Sequence, residues 1–123
     1  MAWILKHTGE KIQVKPKNGE TFSPREIMDL IGSMDYIVEH IKTHSNQFSG
    51  YKIAYNPAEV NNIKRFNIEG TKAVIKGRFS EPVHTVLSIQ MRIDKNAFIK
   101  KNPNIIFVGG HALAGDYTEF KGL

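Results

Sequence analysis

Three glycines, an imidazole, a carboxylate and a hydroxyl fall within ten residues near the C-terminal end of the sequence. They are Gly109, Gly110, His111, Gly115, Asp116 and Thr118, and the apolar run Ile105-Ile106-Phe107-Val108 leads straight into them. Glycine lets backbone N–H groups approach a ligand closely and takes φ > 0 without strain. Successive N–H groups in such a loop form a concave donor site for an anion. His111, Asp116 and Thr118 would then close over the guest, with Tyr117 or Phe120 stacking on it. The plainer alternative is a set of turn and docking residues.

A second group lies on one predicted strand. Val83 to Ile93 alternates cleanly, with Val83, Thr85, Leu87, Ile89, Met91 and Ile93 on one face. The other face carries His84, Val86, Ser88, Gln90 and Arg92. Imidazole, hydroxyl, carboxamide and guanidinium at two-residue spacing suit a base edge and a phosphate, because arginine binds phosphate oxygens in a planar, bidentate manner. An ordinary solvent face and a face covered by a second subunit are the other two readings. Arg78 beside Phe79 has the composition of a purine sandwich, although neighbouring strand residues point to opposite faces.

The usual catalytic devices are missing from the sequence. It has no Gly-x-Ser-x-Gly elbow, no His-Glu-x-x-His, no Walker loop and no Gly-x-Gly-x-x-Gly. His84-Thr85-Val86 has part of a two-histidine phosphoesterase motif, but its hydroxyl is one position early, and His111-Ala112-Leu113 has none. A general acid/base pair of His84 and His111 is therefore the lesser reading. A binding protein, not an enzyme, is expected, with no cofactor and no metal.

Elements must position these groups. The 123 residues suffice for one domain with one core. There are no cysteines, so neither disulfides nor a thiolate metal site contribute. Trp3-Ile4-Leu5 is too short for a signal peptide's apolar region, and no run approaches a membrane span. A soluble cytoplasmic protein is expected. The formal charge of +5 favours anionic partners, but the lysines are dispersed and form no basic arm.

Trp3–Lys6 and Lys11–Lys15 read as a hairpin about Thr8-Gly9. Ser23, Pro24 and Glu26 make a capping box with proline at N1, and Phe22 and Ile27 make a staple. Apolar residues then recur at Ile27, Leu30, Ile31, Met34, Ile37, Val38 and Ile41, which predicts a helix of about five turns, with Gly32 as a possible break. The acidic outer face of that helix, with Glu26, Asp29, Asp35 and Glu39, is unsuited to a DNA major groove. Tyr51–Tyr55, Ala73–Phe79 and Asn104–Val108 read as further strands, the last of them central. Asn56-Pro57-Ala58-Glu59 is a second helix-start signal. The predicted class is α+β: an antiparallel sheet with one long amphipathic helix packed on it.

Two resemblances add to this reading. Lys15-Pro16-Lys17-Asn18-Gly19, followed by Phe22-Ser23-Pro24-Arg25-Glu26-Ile27, resembles the opening of a small domain common in phages and mobile elements. That likeness covers the first third of the chain and implies phage or prophage origin. The length, the basic cysteine-free composition and the order of elements resemble the anti-Thoeris phage sponge proteins. These are oligomeric binders that sequester cyclic ADP-ribose isomers without cleaving them. The resemblance implies a homo-oligomer in the infected host's cytoplasm, blocking an anti-phage defence. It also implies a ligand with an adenine, two riboses and a pyrophosphate, with Arg78, Gln90 and Arg92 suited to base and phosphate. A nucleic-acid- or protein-binding phage inhibitor is the alternative.

Overall fold

The computed structural model describes residues 1–41, 50–60, 62–74, 100 and 108–120. Five antiparallel strands form one sheet: β1 (Ala2–Leu5), β2 (Lys11–Val14), β3 (Ile37–His40), β4 (Lys52–Tyr55) and β5 (Ala112–Gly115), in the order β2-β1-β5-β4-β3. α1 (Pro24–Ile31) and α2 (Ile68–Val74) accompany it, with short 3-10 turns at Pro57–Glu59 and Ile63–Arg65. The α+β class and the antiparallel sheet therefore stand.

The N-terminal hairpin forms as its alternation dictates, with Trp3 opposite Gln13 and Ile4 opposite Ile12. Alternate strand residues then supply two cores. Ala2, Ala54 and Leu113 join Phe22, Ile27 and Ile31 beneath α1. Leu5, Ile53, Tyr55, Ala112 and Ala114 join Ala73, Val74 and Val108 beneath α2. β5 is buried along its whole length because both layers close over it.

The start of α1 follows its local chemistry. The Ser23 hydroxyl accepts the Glu26 N–H at 3.2 Å, and the Glu26 carboxylate accepts the Ser23 N–H at 3.1 Å. Such a cap stabilises a helix by about 1 kcal/mol.

The end of α1 departs from the predicted five turns. Gly32 adopts φ 71°, the left-handed conformation that terminates helices, and donates its N–H to the Met28 carbonyl. The Ser33 hydroxyl and Asp35 backbone then build a turn, and the chain re-enters the sheet as β3. Met34, which a continuous helix would bury, is 87% exposed. Ile37 and Val38 satisfy a helical period and a strand equally well, and pairing with β4 decides for the strand.

Two further expectations are corrected. Ala73 and Val74, read as the opening of a strand, close α2 instead. The segment taken for a glycine-rich loop contains β5, the middle strand of the described sheet. Of the predicted strand Asn104–Val108, Val108 is described and buried. Residues 104–107, the predicted strand Val83–Ile93 and most of Ala73–Phe79 lie outside the described residues. Among the described residues, no helix is long and apolar enough to cross a membrane.

Candidate functional site

β5 divides the expected C-terminal constellation. His111 precedes the strand and Asp116 follows it, so at about 3.3 Å per residue they stand roughly 17 Å apart. His111, Asp116 and Thr118 do not converge on one guest. Arg78, His84, Ser88, Gln90 and Arg92 lie outside the described residues.

The glycines serve the protein's own packing. A Cβ on Gly109 would come 2.0 Å from the Glu59 carbonyl oxygen, and one on Gly115 would come 2.6 Å from the Phe120 ring. Gly110 takes φ 72° and donates its N–H to the Arg65 carbonyl at 2.8 Å. Its carbonyl accepts the buried Asn67 amide at 2.9 Å. The expected N–H cradle is thus corrected at Gly110, whose donor is spent within the fold. Phe120 is likewise core, fully buried against Phe22. Tyr117 is exposed, with the Lys52 ammonium 4.6 Å from its ring centre.

Asp116 organises the turn that follows β5. Its Oδ1 accepts the Thr118 hydroxyl at 2.6 Å and the N–H groups of Thr118 and Glu119 at 3.0 Å. Its Oδ2 accepts the Met1 amino group at 2.8 Å, and Glu119 lies 3.0 Å from the same amine. Burial works to raise the Asp116 carboxyl, but the Met1 amine and the Thr118 and Glu119 donors outweigh it and hold the group far below the usual carboxylate range. Asp116 and Thr118 therefore fix a turn rather than offer free ligands.

That turn forms one wall of an open cleft of about 730 Å³. The opposite wall is the end of β2 with the loop that follows it: Gln13, Lys15, Lys17 and Thr21. The Phe22 N–H donates to the Glu119 carbonyl at 2.9 Å and pins the two walls together. The loop is shaped by Asn18, whose Oδ1 accepts the N–H groups of Glu20 and Thr21, and by Gly19 at φ 80°. Glu26 ties the helix cap to this loop by accepting the Lys17 N–H at 2.8 Å. The Lys17 and Ser23 N–H groups hold the Glu26 carboxyl below its ordinary value, which keeps it ionised as the anchor of Lys17. The Lys15 and Lys17 ammoniums make no ion pair among the described residues.

Gln13, Lys15 and Lys17 line the cleft without standing out in the sequence, because dispersed lysines on a wet strand have no distinctive spacing. The Pro16 and Asn18-Gly19 turn was the available signal, since it bends both lysines toward whatever faces them.

At the other end of β5, His111 stacks on His7 with ring centres 4.9 Å apart and planes at 18°. The His7 N–H donates to His111 Nδ1 at 3.4 Å, which leaves the ring proton on Nε2 in the neutral form. Burial lowers the His111 pKa, and the positive charges of His7, Arg65 and Lys6 lower it further against a small opposing effect from Glu10. Among the described residues, no group of three or more histidine or carboxylate side chains is arranged to hold a metal ion.

The chain matches no family model, no curated protein and no solved structure.

Proposed function

We propose that the protein is a non-enzymatic binder that sequesters an anionic nucleotide-type ligand in the cleft between the end of β2 and the 116–120 turn. The observation that carries this reading is the combination of volume and chemistry. About 730 Å³ falls within the range of clefts that enclose a small organic ligand. Lys15, Lys17 and Gln13 line the cleft beside Glu20, Asp116 and Glu119, and neither lysine makes an ion pair among the described residues. Ammonium groups suit a pyrophosphate, and the Gln13 carboxamide suits a base edge.

The finer identity rests on the sponge resemblance. The ligand in this reading is a cyclic ADP-ribose isomer. The setting is the cytoplasm of a phage-infected bacterium, and the effect is removal of a defence signal. Homo-oligomerisation fits two edge strands, β2 and β3, each with one sheet neighbour among the described residues.

A thermal-shift titration with cyclic ADP-ribose isomers tests the assignment. The wild-type melting temperature is expected to rise with ligand concentration, as linkage requires for a ligand of the folded state. A double variant, Lys15→Ala with Lys17→Ala, is expected to keep the ligand-free melting temperature because both side chains are exposed. Its affinity should fall by tenfold or more, since charge-assisted bonds contribute about 1.5–3 kcal/mol each. An unchanged ligand response in the double variant would remove the cleft from the site.

A further inference from the structure

We propose that His7, His111 and Arg65, with Lys6 behind them, form a phosphate-binding corner at the end of β5 opposite the cleft. This site is independent of the nucleotide reading and lies roughly 17 Å from Asp116 along β5.

The fold builds the corner rigidly. Asn67, fully buried, donates from Nδ2 to the Leu5 carbonyl at 2.6 Å and the Gly110 carbonyl at 2.9 Å. It thereby locks the end of β1 to the residue before His111. The β1–β2 turn is closed by the Lys6 N–H on the Glu10 carbonyl and the Gly9 N–H on the Lys6 carbonyl, both at 2.9 Å. That turn delivers His7 onto the His111 ring. From the other side, the Arg65 carbonyl takes the Gly110 N–H, and the guanidinium lies over Gly110. A Cβ there would sit 3.6 Å from Arg65 Cζ, an ordinary contact.

The donors are available. Arg65 approaches Glu59 only at 3.8 Å, and its side chain is 39% exposed. Among the described residues, its guanidinium makes no direct hydrogen bond, so its fork remains open for two oxygens of one phosphate. His111 presents Nε2–H as a further donor, because its Nδ1 is occupied by the His7 N–H. The charged and titratable groups facing the pair are Lys6, His7 and Glu10 from the hairpin and Arg65 with its partner Glu59 from the 3-10 turns. Lys6 and Arg65 are matched in number by Glu10 and Glu59, but His7, Arg65 and Lys6 each act on His111 more strongly than Glu10 does. A phosphate on the Arg65 and His111 donors adds an anion at that point, and its second ionisation lies close to the range in which imidazole titrates. Occupation of the corner therefore favours the protonated His111 ring, at the expense of the long His7 N–H bond to Nδ1, and moves the His111 titration to higher pH.

The test follows the imidazole proton resonances of the intact protein by NMR across pH. Inorganic phosphate, adenosine monophosphate and a sodium chloride control of equal ionic strength form the arms. The expected result is a saturable shift of both the His7 and His111 resonances at millimolar phosphate, with the His111 titration displaced upward by several tenths of a pH unit. Arg65→Gln should abolish saturation and leave the fold intact, because the hydrogen bond that ties Arg65 to Gly110 is made by its backbone carbonyl and the side chain is 39% exposed. The Lys15→Ala and Lys17→Ala double variant should respond as the wild type does. An equal response to adenosine monophosphate assigns the corner to a phosphate ester, and a response to inorganic phosphate alone assigns it to the free ion. Resonances that move no further than in the chloride control, or that move equally in Arg65→Gln, would overturn the proposal.

Discussion

Asn67→Ala is expected to lower the stability of the protein by about 3–5 kcal/mol, a large share of the roughly 5–15 kcal/mol typical of a domain. The Asn67 side chain spends both of its polar atoms inside the fold. Nδ2 donates to Leu5 and Gly110, and Oδ1 accepts the Gly70 N–H at 2.8 Å. Alanine removes all three bonds and strands two carbonyls and one N–H in a buried region. Each such group costs about 1–3 kcal/mol. The backbone bonds of Asn67, from its N–H to the Val108 carbonyl and from the Thr71 N–H to its own carbonyl, would survive. Urea denaturation reads the effect as a lower midpoint at an unchanged slope. A loss below about 1 kcal/mol would mean that water replaces the amide and that the hub is not structural.

Gly109→Ala is expected to cost about 3 kcal/mol, the upper end for overpacking. The obstacle at 2.0 Å is a backbone oxygen, the Glu59 carbonyl, and not the end of a flexible side chain. Accepting a methyl group requires the Pro57–Glu59 turn to leave its seat. Gly110→Ala provides the contrast. It meets no atom closer than 3.6 Å, and its cost is that of the left-handed backbone, about 1 kcal/mol. Melting temperatures of the two ligand-free variants should therefore fall in the order Gly110→Ala above Gly109→Ala. The reverse order, or two unchanged proteins, would restore the view that these glycines make room for a ligand rather than for Glu59.

These two positions show what local sequence discloses. The hairpin and the cap of α1 were legible because each is written in adjacent residues: Ile12 and Val14 alternate with lysines, and Ser23 and Glu26 bond one another. The end of α1 was less legible, since Ile37, Val38 and Ile41 suit a helix and a strand alike. The decision came from Gly32 and from β4, a partner further along the chain. α2 was missed for a related reason. Gly70 and Thr71 are poor helix formers, and the helix is secured by bonds such as the Val108 N–H to the Thr71 hydroxyl at 2.9 Å. Ala112-Leu113-Ala114-Gly115 read as loop because three of its four residues are small. Those small side chains are what two layers closing on one central strand require.

The candidate site was legible only in part. Asp116 and Thr118 do border the cleft, but as turn formers already bonded to each other. Lys15 and Lys17 face them only because the Phe22 N–H reaches the Glu119 carbonyl, almost a hundred residues away. No spacing rule anticipates a contact of that kind. His7 and His111 are likewise brought together by the pairing of β1 with β5.

The central claim is that the cleft holds a nucleotide and leaves it whole. The direct measurement is to incubate the protein with a cyclic ADP-ribose isomer, remove free ligand by gel filtration, denature the protein by heat, and analyse the released material by liquid chromatography and mass spectrometry. The account predicts recovery of the intact cyclic compound in fixed proportion to protein. Recovery of linear ADP-ribose, or of no ligand after gel filtration, would contradict it.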